Sequence, residues 1–386
     1  MPPPPQPRSG RILRIKDRPL EFSFWPMERT TRRYGLGTRV FASDPWTVIR
    51  RSIDRRASAA TQDAAFALME QAEDFFRAAE SGVKAANPLL LYYCFMNLAK
   101  AYILATQQRS AVDYAAHGLS EKLDPPGTEL SNAWLEARRS VAPGPLPAAR
   151  IQLFDEFQAA LTGAQIPTPT FRYDLPTLIS QVVPGHRLWV AAEGSKRKER
   201  FVSLDRIEFR QDTAAKEIWL CLYLFADDLK RINHGHQELI NHSRLGGLVH
   251  EVACNEKKDD RSLICLEQDA AIAYGHRPAD QVQTLVNSLK HKLWRTVLIA
   301  PPYRKYYLYP APPVEHPQVV PQIISIYAVT FYLGSIVRYR PHHFDRILDG
   351  PYGAFIEAFL NDQPSQFVYL MASEFAEKEV TKAAIV

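Results

Sequence analysis

Cysteine is scarce in this 386-residue chain. The four present, Cys94, Cys221, Cys254 and Cys265, are scattered, mostly inside apolar runs. That excludes a disulfide framework and suits buried thiols in a reducing compartment. The motifs that anchor common chemistries are missing as well. There is no C-x-x-C or H-E-x-x-H for zinc, no G-x-S-x-G elbow, and no phosphate loop, since the glycines of YGLGT (Gly35, Gly37) lack a following Lys-Ser/Thr. Hydrolase, kinase and dehydrogenase readings therefore have no anchor, and neither a metal nor a cofactor is expected. The N-terminus, MPPPPQPRSGR, has no apolar signal core, so a cytoplasmic location is expected. No internal repeat is evident.

What is present begins with Asn87 to Leu119, NPLLLYYCFMNLAKAYILATQQRSAVDYAAHGL. Asn87 is read as a helix cap with Pro88 at the first helical position. From Leu89 to Ala105 the chain is apolar on every face except at Asn97 and Lys100, the mark of a core helix. Val319 to Val337 is long enough to span a bilayer, but Pro321, Gln322, Ser325, Thr330, Gly334 and Ser335 dilute it, and it too is read as a core helix rather than a membrane span.

The segments PLLLYYCFMNLAK (Pro88 to Lys100), His117-Gly118-Leu119 and YLGSIVRYRP (Tyr332 to Pro341) resemble the YaaC-like family of bacterial proteins, and their order implies that the resemblance covers most of the chain from about Ala57 onward. The family implies a soluble bacterial protein and brings no reaction with it.

Periodicity predicts helices over Asp44 to Ile53, Ala60 to Ser81, Glu129 to Arg139, Ile151 to Leu161, Asp174 to Val183, Ala279 to Lys292, Val320 to Tyr339, Gly353 to Leu360 and Pro364 to Glu377. Short aromatic and β-branched runs predict strands over Arg187 to Ala192, Phe201 to Arg210, Glu217 to Phe225, Gly247 to Cys254, Ser262 to Glu267 and Arg304 to Tyr309. The fold class is α+β, with helical N- and C-terminal parts packed together around an inserted antiparallel β-sheet. We divide the chain into a basic N-terminal arm (1–56), a helical domain with a core hairpin (57–183), a mainly β region with one helix (184–310) and C-terminal helices packing back on the helical domain (311–386).

The formal charge of +5 is uneven. Residues 1–56 carry twelve Arg and one Lys against five acidic residues. Such an arm suits nucleic acid or an acidic partner, with Arg32, Arg33, Arg50 and Arg51 as contacts. The stretch GSKRKER adds Lys196, Arg197, Lys198 and Arg200, read as a basic hairpin tip flanked by Trp189 and Phe201. Tyr93, Asn97, Lys100 and Leu104 share one stripe of the core helix, and with Asp113 and His117 nearby they form either a small polar pocket or a network fixing helix register. The helical hairpin invites comparison with HEPN-type ribonucleases, in which an Arg and a His four to six residues on act on RNA without metal. Arg109 and His117 have seven residues between them, one too many, and Pro341 interrupts Arg338 and His343.

The function expected is a non-catalytic subunit of a bacterial multi-protein assembly that binds nucleic acid or an acidic partner, with antiphage defence as its setting. The alternatives are a HEPN-like metal-independent endoribonuclease and a small-nucleotide-binding protein. A second protein subunit is the expected partner, a homo-oligomer is compatible with the sequence, and no membrane is involved.

Overall fold

Side chains alternate between the two faces of a strand, and Val202–Asp212 follows that rule, with buried and half-buried residues taking turns. Its neighbour Glu217–Phe225 is buried on both faces from Ile218 to Leu224 and forms the centre of an antiparallel sheet. In the computed structural model, which describes residues 3–15, 18–25, 39–82, 85–106, 109–125, 127, 129–141, 151–182, 186–194, 199–300 and 305–382, the sheet runs in the order Val249–Val252, Arg261–Gln268, Glu217–Phe225, Val202–Asp212, Lys305–Leu308, Val297–Ala300. Arg11–Ile12 adds antiparallel to Val202–Asp212, with Arg11 opposite Gln211. The turn from Asp212 to Glu217 is held by Asp212 Oδ1, which accepts from the N–H groups of Ala214 and Ala215 at 2.7 and 3.0 Å.

The chain divides into two compact units. The sheet unit comprises Met1–Phe41, Lys198–Pro321 and Glu377–Val386, and the helical unit Ala42–Arg197 and Gln322–Ala376. In the sheet unit the proline-rich start is extended, with the Pro5 carbonyl accepting from Ala253 N–H at 2.7 Å. Beyond it the chain is packed in. Arg11 and Arg14 face solvent while Leu13, Ile15, Leu20, Phe22, Phe24 and Trp25 are buried, so the described residues from Arg11 to Trp25, with Arg14–Ile15 antiparallel to Arg18–Pro19, belong to the core. Gly10 is needed there, because a Cβ would lie 2.4 Å from the Trp219 ring.

In the helical unit, Pro45–Arg56 is capped by Asp44, which accepts from Trp46 and Thr47 N–H. Gln62–Ser81 and Asn87–Ala105 form the expected antiparallel hairpin. Asn87–Ala105 also packs on Leu153–Thr162, Gln322–Tyr339 and Gly353–Ala376, so helices from both ends of the chain share one core. Phe95 stacks on Phe367 with ring centroids 3.8 Å apart. Asn87–Ala105 is long and apolar enough to cross a membrane, and 72% of that window is buried inside the protein. Gln322 to Ile336 is buried throughout. Both are core helices.

Several local expectations are corrected. Asn87 does not cap: Ala86 occupies that position, Asn87 is the first helical residue, and its Nδ2 reaches the Ala79 carbonyl at 3.5 Å. Glu129 to Arg139 is a short 3-10 turn followed by the strand Ala133–Arg138, paired with Leu119–Leu123 and Thr170–Asp174. Ala133, Leu135 and Ala137 alternate inward there, and sheet pairing overrides the helix propensity of Leu, Glu, Ala and Arg. His186–Ala192 is a helix rather than the strand expected before GSKRKER, of which residues 195–198 lie outside the described residues. Gly353–Ala376 is one helix running through Pro364, where two were expected. Burial of Phe355, Ile356, Phe359, Phe367 and Leu370 on either side holds it continuous across the missing N–H.

Candidate functional site

Two core helices and one strand edge enclose a small pocket in the helical unit. Asn87–Ala105 contributes Leu89, Tyr92 and Tyr93; Gln322–Tyr339 contributes Phe331, Gly334, Ser335, Arg338 and Tyr339; and the chain entering Leu119–Leu123 contributes His117, Leu119, Ser120 and Glu121. The helices approach closely because Gly334 has no side chain: a Cβ would sit 3.0 Å from Tyr92 Cβ and 3.1 Å from the Pro88 carbonyl. Gly118 is required in the same way. Its φ of +78° turns the chain beside Phe154, whose N would lie 3.1 Å from a Cβ, and the turn delivers His117 to the pocket.

Tyr92 Oη lies 2.5 Å from His117 Nδ1. Burial first, then the neighbouring Tyr327, pushes the Tyr92 phenol well above its ordinary range, so it keeps its proton. His117 is pushed below the usual imidazole range by desolvation, then by the positive charges of Lys100 and Arg338. A protonated phenol and a neutral imidazole are satisfied with Tyr92 donating and Nδ1 accepting, which leaves the ring proton on Nε2. Arg338 Nη1 donates to Tyr93 Oη at 3.2 Å, and its guanidinium lies 5.0 Å from the Tyr339 ring. Glu121 accepts from Arg340 at 3.4 Å. The Lys100 ammonium is lowered by burial, with Asp113 opposing. The partner of Arg338 in this pair is a neutral phenol while Glu121 already meets a cation, so the pocket favours an anion. Its volume is about 140 Å³. Since whole-ligand pockets run to roughly 300–1,000 Å³, this one is of a size to enclose a single phosphate-sized group.

The structure redistributes the residues singled out from sequence. Arg109 is taken by Glu156 through two bonds of 2.9 and 2.8 Å, away from the Tyr92 pair of His117. His343 is buried, with Nε2 3.2 Å from Tyr332 Oη, while Arg338 is exposed. Neither expected Arg–His pair exists as such; His117 and Arg338, one from each, line the same pocket. The polar stripe also separates. Tyr93 reaches Arg338, whereas Asn97 Nδ2 donates to Gln71 Oε1 at 2.7 Å on the neighbouring helix. Tyr92, Ser120, Glu121 and Tyr339 were missed. The Tyr-Tyr pair at 92–93 carried the only local signal, and core aromatics look the same.

A second concavity lies on the sheet unit, about 790 Å³, lined by Gly10, Arg11, Ile12, Arg14, Arg206, Glu208, Arg210, Gln211 and Glu256. Arg206 bonds Glu208 at 2.7 Å, Asp205 at 2.9 Å and also Glu256, and lies 3.8 Å over the Tyr223 ring. Arg210 donates to Tyr223 Oη and the Gly10 carbonyl. Four guanidiniums thus line the groove against two carboxylates.

The other expected contacts lie elsewhere. Arg200 is not a solvent-facing cation but is 8% exposed, held by Glu315 and by Tyr309 Oη at 3.2 Å. Arg50 pairs with Glu70 at 2.7 Å, and Arg51 is exposed on the same helix. Arg32, Arg33, Lys196, Arg197 and Lys198 lie outside the described residues.

No curated protein and no solved structure matches the chain. A family model described as YaaC-like Protein matches residues 23–375, and its span contains all three segments that meet at the pocket. The chain belongs to the YaaC-like protein family.

Proposed function

We propose that this YaaC-like protein is a non-catalytic, cytoplasmic subunit of a bacterial assembly that binds nucleic acid by its phosphate backbone. The observation that carries the reading is the groove with Arg11, Arg14, Arg206 and Arg210 on one side of the sheet unit. Arg206 and Arg210 are already bonded to carboxylates and a phenol, and Arg11 and Arg14 are the exposed guanidiniums of the groove. Fluorescence anisotropy with a labelled oligonucleotide, repeated over a salt series, tests it. The double variant Arg11→Ala/Arg14→Ala should bind more weakly at every sequence and lower the log–log salt slope by about 0.7–0.9 per lost contact. Equal slopes for variant and parent would sink the reading.

A second reading rests on His117 and Arg338. A neutral imidazole beside an arginine is suited to metal-independent cleavage of RNA: in the tautomer whose Nδ1–H donates to the Tyr92 phenol, His117 Nε2 takes the 2′-hydroxyl proton as that oxygen bonds to phosphorus, the P–O5′ bond breaks with the 5′-oxygen protonated from solvent, and Arg338 offsets the charge that builds on phosphate. Incubation of labelled RNA in EDTA distinguishes the two. Cleavage lost in both His117→Ala and Arg338→Ala supports an enzyme; intact RNA with retained binding supports the subunit.

A further inference from the structure

A pair of histidines in the sheet unit has a geometry that neither reading uses. Asn233 takes a left-handed turn at φ 55°, and Gly235 then opens the short helix His236–His242. The turn folds His234 back along that helix, where its Nε2 lies 3.1 Å from His242 Nδ1 with the rings edge to face. Glu238 precedes His242 by four residues and so shares its face of the helix. One Glu238 oxygen, Oε2, accepts from the Gly235 N–H at 3.3 Å, while Oε1 lies 3.9 Å from His242 Nε2. Donor atoms of all three residues lie within 4.8 Å of one another.

Four further observations favour an ion over a bare contact between two rings. Tetrahedral zinc with bonds of about 2.0–2.1 Å holds its nitrogen ligands roughly 3.3 Å apart, within a few tenths of an ångström of the separation found. His234 Nδ1 is buried with no hydrogen-bond partner, so the polar contact of that ring is at Nε2 alone, on the His242 side. His316 Nε2 bonds the carbonyls of His242 and Ala311 at 3.1 and 3.0 Å, fixing the backbone that carries His242. The nearby cation, Arg200, is neutralised by Glu315.

We propose that His234, Glu238 and His242 form a site for a zinc-class divalent ion, two imidazole nitrogens and one carboxylate oxygen leaving a fourth position for water or another oxygen ligand. The set is the two-histidine, one-glutamate donor combination that zinc accepts. From sequence the spacing matched no metal motif. The left-handed turn at Asn233 is what brings His234 to the helix.

The test uses the full chain, stripped with EDTA and dialysed, then titrated with Zn²⁺ against a chromophoric chelator and with Co²⁺ by absorption. The parent should take one zinc per chain and give the visible bands of tetrahedral cobalt. His234→Gln and His242→Gln should each weaken zinc binding by about 100-fold or more and Glu238→Gln by about 10-fold, while His250→Gln, on a ring paired with Asp269, should leave it unchanged. Circular dichroism of the metal-free variants checks that they fold, and if one does not, the other two carry the test. A parent that takes no zinc overturns the proposal. So do folded variants that keep the parent's affinity, since the ion would then be held elsewhere.

Discussion

Arg206 and Arg200 of the sheet unit and Arg338 of the helical unit meet different partners. In the sheet unit Arg206 bonds three carboxylates and Arg200 is clamped by Glu315. At the helical unit's pocket, Arg338 meets the phenol of Tyr93, and His117 the phenol of Tyr92. A cation bonded to a carboxylate adds little to the external field, whereas one bonded to a phenol keeps its charge. The number of arginines in a stretch is therefore a poor guide to where an anion binds.

The largest expected effect tests whether the basic N-terminal stretch is a free arm or part of the sheet. Deleting residues 3–25 removes Leu13, Leu20, Phe22, Phe24 and Trp25 from the core. At about 1.5–3 kcal/mol for each buried side chain, the loss rivals the whole stability of a typical domain, so the sheet unit should unfold. A stretch that served only as a free arm for a partner could be removed with the fold intact. A truncated chain with native circular dichroism and protease resistance would restore that view.

Next comes the contrast between the two kinds of arginine. Arg200→Met takes the guanidinium away from the Glu315 carboxylate in a partly buried position, the side chains being 10% and 14% exposed. It should cost about 3 kcal/mol, the lower end for a broken buried pair. Arg338→Met, on an exposed residue with a neutral partner, should change stability by less than about 0.5 kcal/mol. Urea denaturation of both variants measures this, and equal costs would erase the distinction.

Asn97→Leu should be milder than burial alone suggests. Asn97 is buried, but its partner Gln71 is exposed and can turn to water. The cost falls from the 1–3 kcal/mol of a stranded buried group to about 0.5–1.5 kcal/mol, the net worth of one hydrogen bond. A midpoint loss near 3 kcal/mol would show that Gln71 cannot escape.

The smallest effect is on pH. His117 and His343 are both held below the ordinary imidazole value, chiefly by burial and then by neighbouring positive charges. The unfolded chain takes up these protons near pH 6.5 while the folded chain resists them. Stability from these groups is therefore complete above that pH and declines as pH falls below it toward the folded values. The urea midpoint should fall between pH 7.5 and 5.5, and His343→Gln should reduce that fall. A midpoint unchanged across the range would mean that these rings titrate freely.

By itself the sequence determined the α+β class, the hairpin of Gln62–Ser81 and Asn87–Ala105, the core helix near Val320 to Tyr339 and most strands of the sheet. Those features depend on local periodicity, and a run apolar on all faces can only be buried. Tertiary structure decided the rest. Ala133–Arg138 became a strand because Leu119–Leu123 and Thr170–Asp174 offered backbone partners that its helix-forming residues do not announce. Gly353–Ala376 stayed one helix because packing on both sides of Pro364 outweighed one lost hydrogen bond. The pocket joins His117 to Arg338, more than two hundred residues along the chain. That meeting depends on Gly334 letting two helices touch at Tyr92, and only the packed core sets such a distance.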